Sequence, residues 1–60
     1  MKKVNALENY YCGLYSYHIF YNSFNIDYFT IMTASVKHAR KELRTWLKSN
    51  GFELAKIEKL

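Results

Sequence analysis

Leu14-Tyr15-Ser16-Tyr17-His18-Ile19-Phe20-Tyr21, then Asn22-Ser23, then Phe24-Asn25-Ile26-Asp27-Tyr28-Phe29-Thr30-Ile31-Met32: this stretch decides the fold. Tyr, Phe, Ile and Thr dominate it, and such bulky or branched side chains suit a pleated surface better than a helix. Asn22-Ser23 lies between two such runs, and Asn tolerates the positive φ of a two-residue turn. A turn there pairs Tyr21 with Phe24, Ile19 with Ile26, Tyr17 with Tyr28 and His18 with Asp27. One face then carries Tyr15, Tyr17, Ile19, Ile26, Tyr28 and Met32. The other carries Leu14, Phe20, Phe29 and Ile31, with Ser16, His18, Asn25 and Asp27 between them. A shift of register would exchange these partners. In either register both faces are largely apolar.

Downstream, Thr33-Ala34-Ser35 offers hydroxyls that cap a helix by accepting from a free backbone N–H. Val36, Ala39, Leu43, Trp46 and Leu47 follow at helical spacing as one apolar stripe, with Trp46 expected at the centre of the core. Asn50-Gly51 ends the pattern, since glycine readily takes the left-handed conformation just past a helix. The spacing predicts a helix over 35–50. In the tail, Leu54, Ile57 and Leu60 recur every three residues, as in a short helix, whereas Phe52 and Leu54 alternate with Glu53, as in a strand. A strand over 52–60, returning beside the hairpin, is favoured because a lone hairpin is marginal in water.

The expected architecture is a single α+β domain over 1–60, of order β-β-α-β. An N-terminal segment 1–8 leads into an aromatic hairpin over 9–32, and the hairpin and last strand pack on one amphipathic helix. Sixty residues bury only about 60% of their unfolded surface, so the core is small. One cysteine and no proline exclude a disulfide scaffold and a four-cysteine zinc site. Cys12 among aromatics reads as a small buried hydrophobe and suits a reducing compartment. Met1-Lys2-Lys3 imitates the start of a signal peptide, but Asn5, Glu8 and Asn9 interrupt any apolar run. The apolar stretch from Tyr10 to Tyr21 falls short of the roughly twenty residues a membrane helix needs. A cytoplasmic protein with no membrane partner is expected.

Charge divides the chain at about residue 33. Before it, Lys2 and Lys3 cancel Glu8 and Asp27, so the net charge of +4 belongs to the second half. Nine of the eleven aromatics lie between Tyr10 and Phe29, which separates an aromatic half from a basic one. Lys37, Lys41, Arg44 and Lys48 fall at i, i+4, i+7 and i+11, with Arg40 flanking and Lys56 further on. Such a basic face attracts phosphates or acidic protein surfaces, or serves as a solvated exterior.

His18 opposite Asp27 reads as a cross-strand pair rather than a catalytic dyad. Cys12, His18 and His38 are too scattered to hold a metal, and no nucleophile or phosphate-gripping glycine loop stands out. No catalytic residue, metal or cofactor is expected. The single helix covers one face of the sheet, which leaves Leu14, Phe20, Phe29 and Ile31, or the alternate set, to meet a partner. Burying four such side chains is worth about 6–10 kcal/mol before binding costs.

Gly51-Phe52-Glu53-Leu54-Ala55-Lys56-Ile57, after a helix with Ala39 twelve positions before the glycine, resembles the C-terminal part of small phage host-takeover proteins of β-β-α-β order. Inhibitors of bacterial RNA polymerase from podophages are among them. The resemblance covers about the last twenty-five residues. It implies a phage-type accessory protein that binds and inhibits or occludes a host macromolecule by protein–protein contact. In that family two arginines on the last strand contact the polymerase. Lys56 stands at the first of these positions and Glu58, of opposite charge, at the second. Two other partners fit the sequence beside a host protein. One is a nucleic acid gripped by the basic helix face and exposed tyrosines, and the other is a second copy packed sheet to sheet.

Overall fold

In a computed structural model that describes residues 1–60, two tight turns organise the first half of the chain. Cys12 and Gly13 form the first, with φ of 48° and 81°, and Asn22 and Ser23 the second, with φ of 51° and 68°. Positive φ at both central residues is the type I′ signature, whose twist matches that of the strands it joins. The turns connect β1 (Lys2–Tyr11), β2 (Leu14–Tyr21) and β3 (Phe24–Met32) into an antiparallel meander. Helix α1 (Val36–Ser49) crosses over the meander, and β4 (Phe52–Lys59) returns parallel to β1. The sheet order is β3-β2-β1-β4.

The α+β class, the hairpin turn, the helix and the C-terminal strand stand as expected. The order gains a strand, however: β-β-β-α-β replaces β-β-α-β. Residues 1–8 are not a leading segment but most of a central strand, and β4 pairs with that strand rather than with the hairpin. Alternation explains why: Val4 and Ala6 point inward and are almost fully buried, while Lys3, Asn5 and Asn9 point outward.

Helix boundaries follow local chemistry. Ser35 accepts from the His38 N–H at 3.2 Å and is the N-cap. At the other end Asn50 is the C-cap, and Gly51 takes φ 81° just beyond it. Ala39, Leu43 and Leu47 are buried against Val4, Ala6, Tyr17 and Ile19, and these seven residues form the core. Trp46 is half-buried rather than central. It lies over β3, its ring 4.9 Å from that of Phe29. Val36, at the start of the stripe, is 37% exposed and lies outside the core.

Two bulges re-phase the edge strands. In β3, Phe20 pairs with Asn25 but Ile19 pairs with Asp27, so Ile26 is the extra residue. Tyr17 therefore meets Phe29 rather than Tyr28, and His18 meets Tyr28 rather than Asp27. In β4, Val4 pairs with Leu54 but Asn5 with Lys56, which makes Ala55 the extra residue. Leu54 and Ile57, three apart, thereby both face the helix. That spacing is a bulged strand, not a turn of helix.

The two edges are protected in different ways. β4 carries Glu53, Lys56, Glu58 and Lys59, and charges of this kind discourage strand addition. β3 carries only Asp27, yet the Asp27 carboxylate accepts from the Tyr28 N–H at 2.8 Å. Thr33 N–H donates to Gly13 C=O, and the antiparallel alternation then turns the backbone of Phe29 and Ile31 toward β2 and that of Tyr28 and Thr30 outward. Asp27 thus occupies an edge donor that another strand would need. Asp27→Ala is expected to leave the monomer folded but make its sedimentation coefficient rise with concentration. A coefficient as flat as that of the parent would contradict this role.

Candidate functional site

One cluster of polar side chains is buried between the helix and the sheet. Glu8 is inward-facing on β1 and only 5% exposed. Its Oε2 accepts from the Tyr17 hydroxyl at 2.7 Å and from Arg40 Nε at 2.9 Å, and its Oε1 accepts from Arg40 Nη2 at 2.9 Å. The fork of Arg40 thus grips the carboxylate at two points, the strong form of this pair. Hydrogen bonding from Arg40 holds the Glu8 carboxyl below its ordinary range, against the opposing effect of burial. Burial first, and then its bond to Glu8, push the Tyr17 phenol well above its ordinary value. The bond to Glu8 raises Arg40 further still. Glu8 stays ionised, and Tyr17 stays protonated with its one hydroxyl proton committed to Glu8. This cluster joins α1 to β1 and β2. Every buried side-chain nitrogen and oxygen has a partner.

Arg40, expected on the basic face, is therefore neutralised by a buried anion. Lys56 lies on β4, where its Nζ is 3.4 Å from Glu58. Lys37, Lys41, Arg44 and Lys48 remain exposed on the helix and take part in no ion pair. Cys12 sits in the first turn and is exposed rather than buried. No three His, Cys, Asp or Glu side chains come together as a metal-binding group.

On the open side of the sheet the registers define four rows across the strands. Lys56, Asn5, Phe20 and Asn25 form one, and Glu58, Leu7, His18 and Tyr28 the next. Asn9, Ser16 and Thr30 form a polar row, and Tyr11, Leu14 and Met32 close the face. The His18 and Tyr28 rings lie 4.6 Å apart, and Asn25 Nδ2 is 3.4 Å from His18 Nδ1. Tyr28 and Met32 stand well out, at 50% and 83% exposure. Asn5, Leu7, Phe20 and Glu58 line a shallow cleft on this face.

No family model, curated protein or solved structure matches this chain.

Of the four residues expected on the open face, Leu14 and Phe20 are there. Phe29 and Ile31 are on the opposite side, half-buried against the core. The bulge at Ile26 moves every later residue of β3 to the other face from the one a simple turn assigns. Tyr28 and Met32 take their places, joined by Leu7 and His18. The strand alternation of Val4, Ala6 and Glu8 was the signal that would have found Leu7.

Proposed function

We propose that this protein acts by binding: the open face of its sheet docks on a partner protein and occludes it. One observation carries the reading. The only helix covers one side of a four-stranded sheet, and the other side presents Leu7, Leu14, Phe20, Tyr28 and Met32 with nothing packed over them. Large exposed apolar patches mark interaction surfaces. The principal extents of 30 and 21 Å give the face a footprint of roughly 600 Å², close to the ~800 Å² per partner of a standard interface.

Composition favours protein over nucleic acid here. Interface cores are rich in Tyr, Phe and Met and poor in charge. On this face Lys3 and Lys56 are balanced by Glu53 and Glu58, so it offers phosphates no net attraction. Exposed Tyr28 and the helix cations lie on opposite layers, so one strand of nucleic acid cannot stack on the first while pairing with the second. The reading gives no residue a catalytic role, and the one buried titratable cluster ties the helix to the sheet. The resemblance of the C-terminal residues to phage host-takeover proteins supports a host protein as the partner and inhibition as the outcome.

Immobilised protein should retain the same partner from a host lysate with and without nuclease. Tyr28→Ser/Met32→Ser should lose it, because both side chains are exposed and their removal leaves the core intact. Retention by the double variant, or a partner lost on nuclease treatment, would sink the reading. A concentration-dependent doubling of mass that the double variant abolishes would instead give the face to a second copy.

A further inference from the structure

Lys37, Lys41, Arg44 and Lys48 fall within about 60° of one another around the helix axis and span about 16 Å along it. All four are exposed, and none has an acidic partner. Of the five acids, Glu8 is taken by Arg40 and Glu58 by Lys56, Asp27 caps the far edge of the sheet, and Glu42 lies on the other flank of the helix. Glu53 alone comes near the row, in a cleft that it lines with Arg44, Lys48 and Phe52. The row is a line of four cations with one acid beside its C-terminal end, on the layer opposite the open face of the sheet.

We propose that this row holds the phosphate backbone of a nucleic acid, and that it does so while the sheet face is free for its protein partner. Only the second clause rests on the function proposed above. Three considerations select this occupant. Counting both strands, a duplex carries one phosphate per about 1.7 Å of its axis, so a row of cations about 16 Å long has several within reach of its long side chains. Lysine is depleted at protein–protein interfaces, which disfavours an acidic protein surface for a row with three lysines. A membrane-surface helix inserts its apolar face among lipids, but Ala39, Leu43 and Leu47 of this helix are already committed to the core. The contact is made to backbone, without base readout, so it is independent of sequence. With the two sites on opposite layers, the protein would bring its partner to nucleic acid rather than compete for it.

Fluorescence anisotropy of a short labelled duplex tests this. Binding at low salt should weaken with a log–log slope of about −3.6, for four phosphates neutralised at about −0.9 each. Lys41→Gln/Arg44→Gln/Lys48→Gln should reduce the slope to about −0.9 and weaken binding sharply at low salt. Lys2→Gln/Lys3→Gln/Lys56→Gln removes the same charge elsewhere and should change it little, with circular dichroism confirming that both variants fold. Tyr28→Ser/Met32→Ser should bind the duplex as the parent does. Equal losses in the two lysine sets would reduce the contact to diffuse attraction and overturn the site. So would absence of binding at low salt, or retention of anionic vesicles in place of the duplex. Weakened duplex binding by the sheet-face variant would overturn simultaneous occupancy while leaving the protein-capture result to stand or fall separately.

Discussion

Arg40→Ala is expected to lower the unfolding free energy by about 2–4 kcal/mol, a large part of what so small a domain has. The loss comes mainly from what remains behind. Without the guanidinium, Glu8 is a carboxylate 5% exposed with only the Tyr17 hydroxyl as donor. Breaking one side of a fully buried pair costs about 3–5 kcal/mol. Arg40 is 32% exposed, so solvent screening puts the loss below the top of that range. Replacing the whole cluster should behave differently. Glu8→Leu/Tyr17→Phe/Arg40→Met removes three polar groups together and fills similar volume, and should be close to the parent or above it. Urea melts of the two variants decide the matter. If the triple variant is as weak as Arg40→Ala, lost packing rather than stranded charge is the cause.

Acid should unfold the protein through the same cluster. The folded-state value of Glu8 lies below its ordinary 4.5, so the unfolded chain binds the proton more readily. Stability from ionised Glu8 is then complete above pH 4.5 and drains away as the pH falls through the depressed value. Tyr17 has the opposite sense. Its folded-state value is raised above the ordinary 10.0, so its contribution is complete below pH 10 and is lost as the pH rises beyond it. Melts across pH should show a plateau bounded on both sides. In Arg40→Ala the acid limb should flatten, because the largest influence lowering the Glu8 value is gone. An acid limb as steep as the parent's would assign it to another carboxylate.

Much of this architecture was legible in the chain. Asn22-Ser23 marked its turn, Ser35 and Asn50-Gly51 marked both ends of the helix, and Phe52-Glu53-Leu54 marked the last strand. These signals are local, each set by one or two residues. The central strand was not legible because Glu8 reads as a polar interruption. It becomes an inward-facing residue only through Arg40, thirty-two positions away. The register was hidden for a different reason. A bulge is one extra residue that costs little locally, yet Ile26 reverses the facing of everything from Asp27 to Met32. Hence Leu14 and Phe20, before the bulge, were placed correctly, and Phe29 and Ile31, after it, were not. In the helix the row of cations was visible from spacing alone, whereas the removal of Arg40 from it was not.

The parallel pairing of β1 with β4 joins Lys2 to Phe52 and Glu8 to Lys59, partners about fifty positions apart. The meander can zip from its two tight corners, but the fourth strand has to wait until the helix has folded back across the sheet. Closing so wide a loop loses entropy before any ladder bond forms. Kinetically the chain therefore belongs with mixed and sheet-rich domains rather than with fast helical bundles. Until that last step, β1 keeps an unpaired edge, and the interval in which it does so is when a chaperone or a stray strand can reach it.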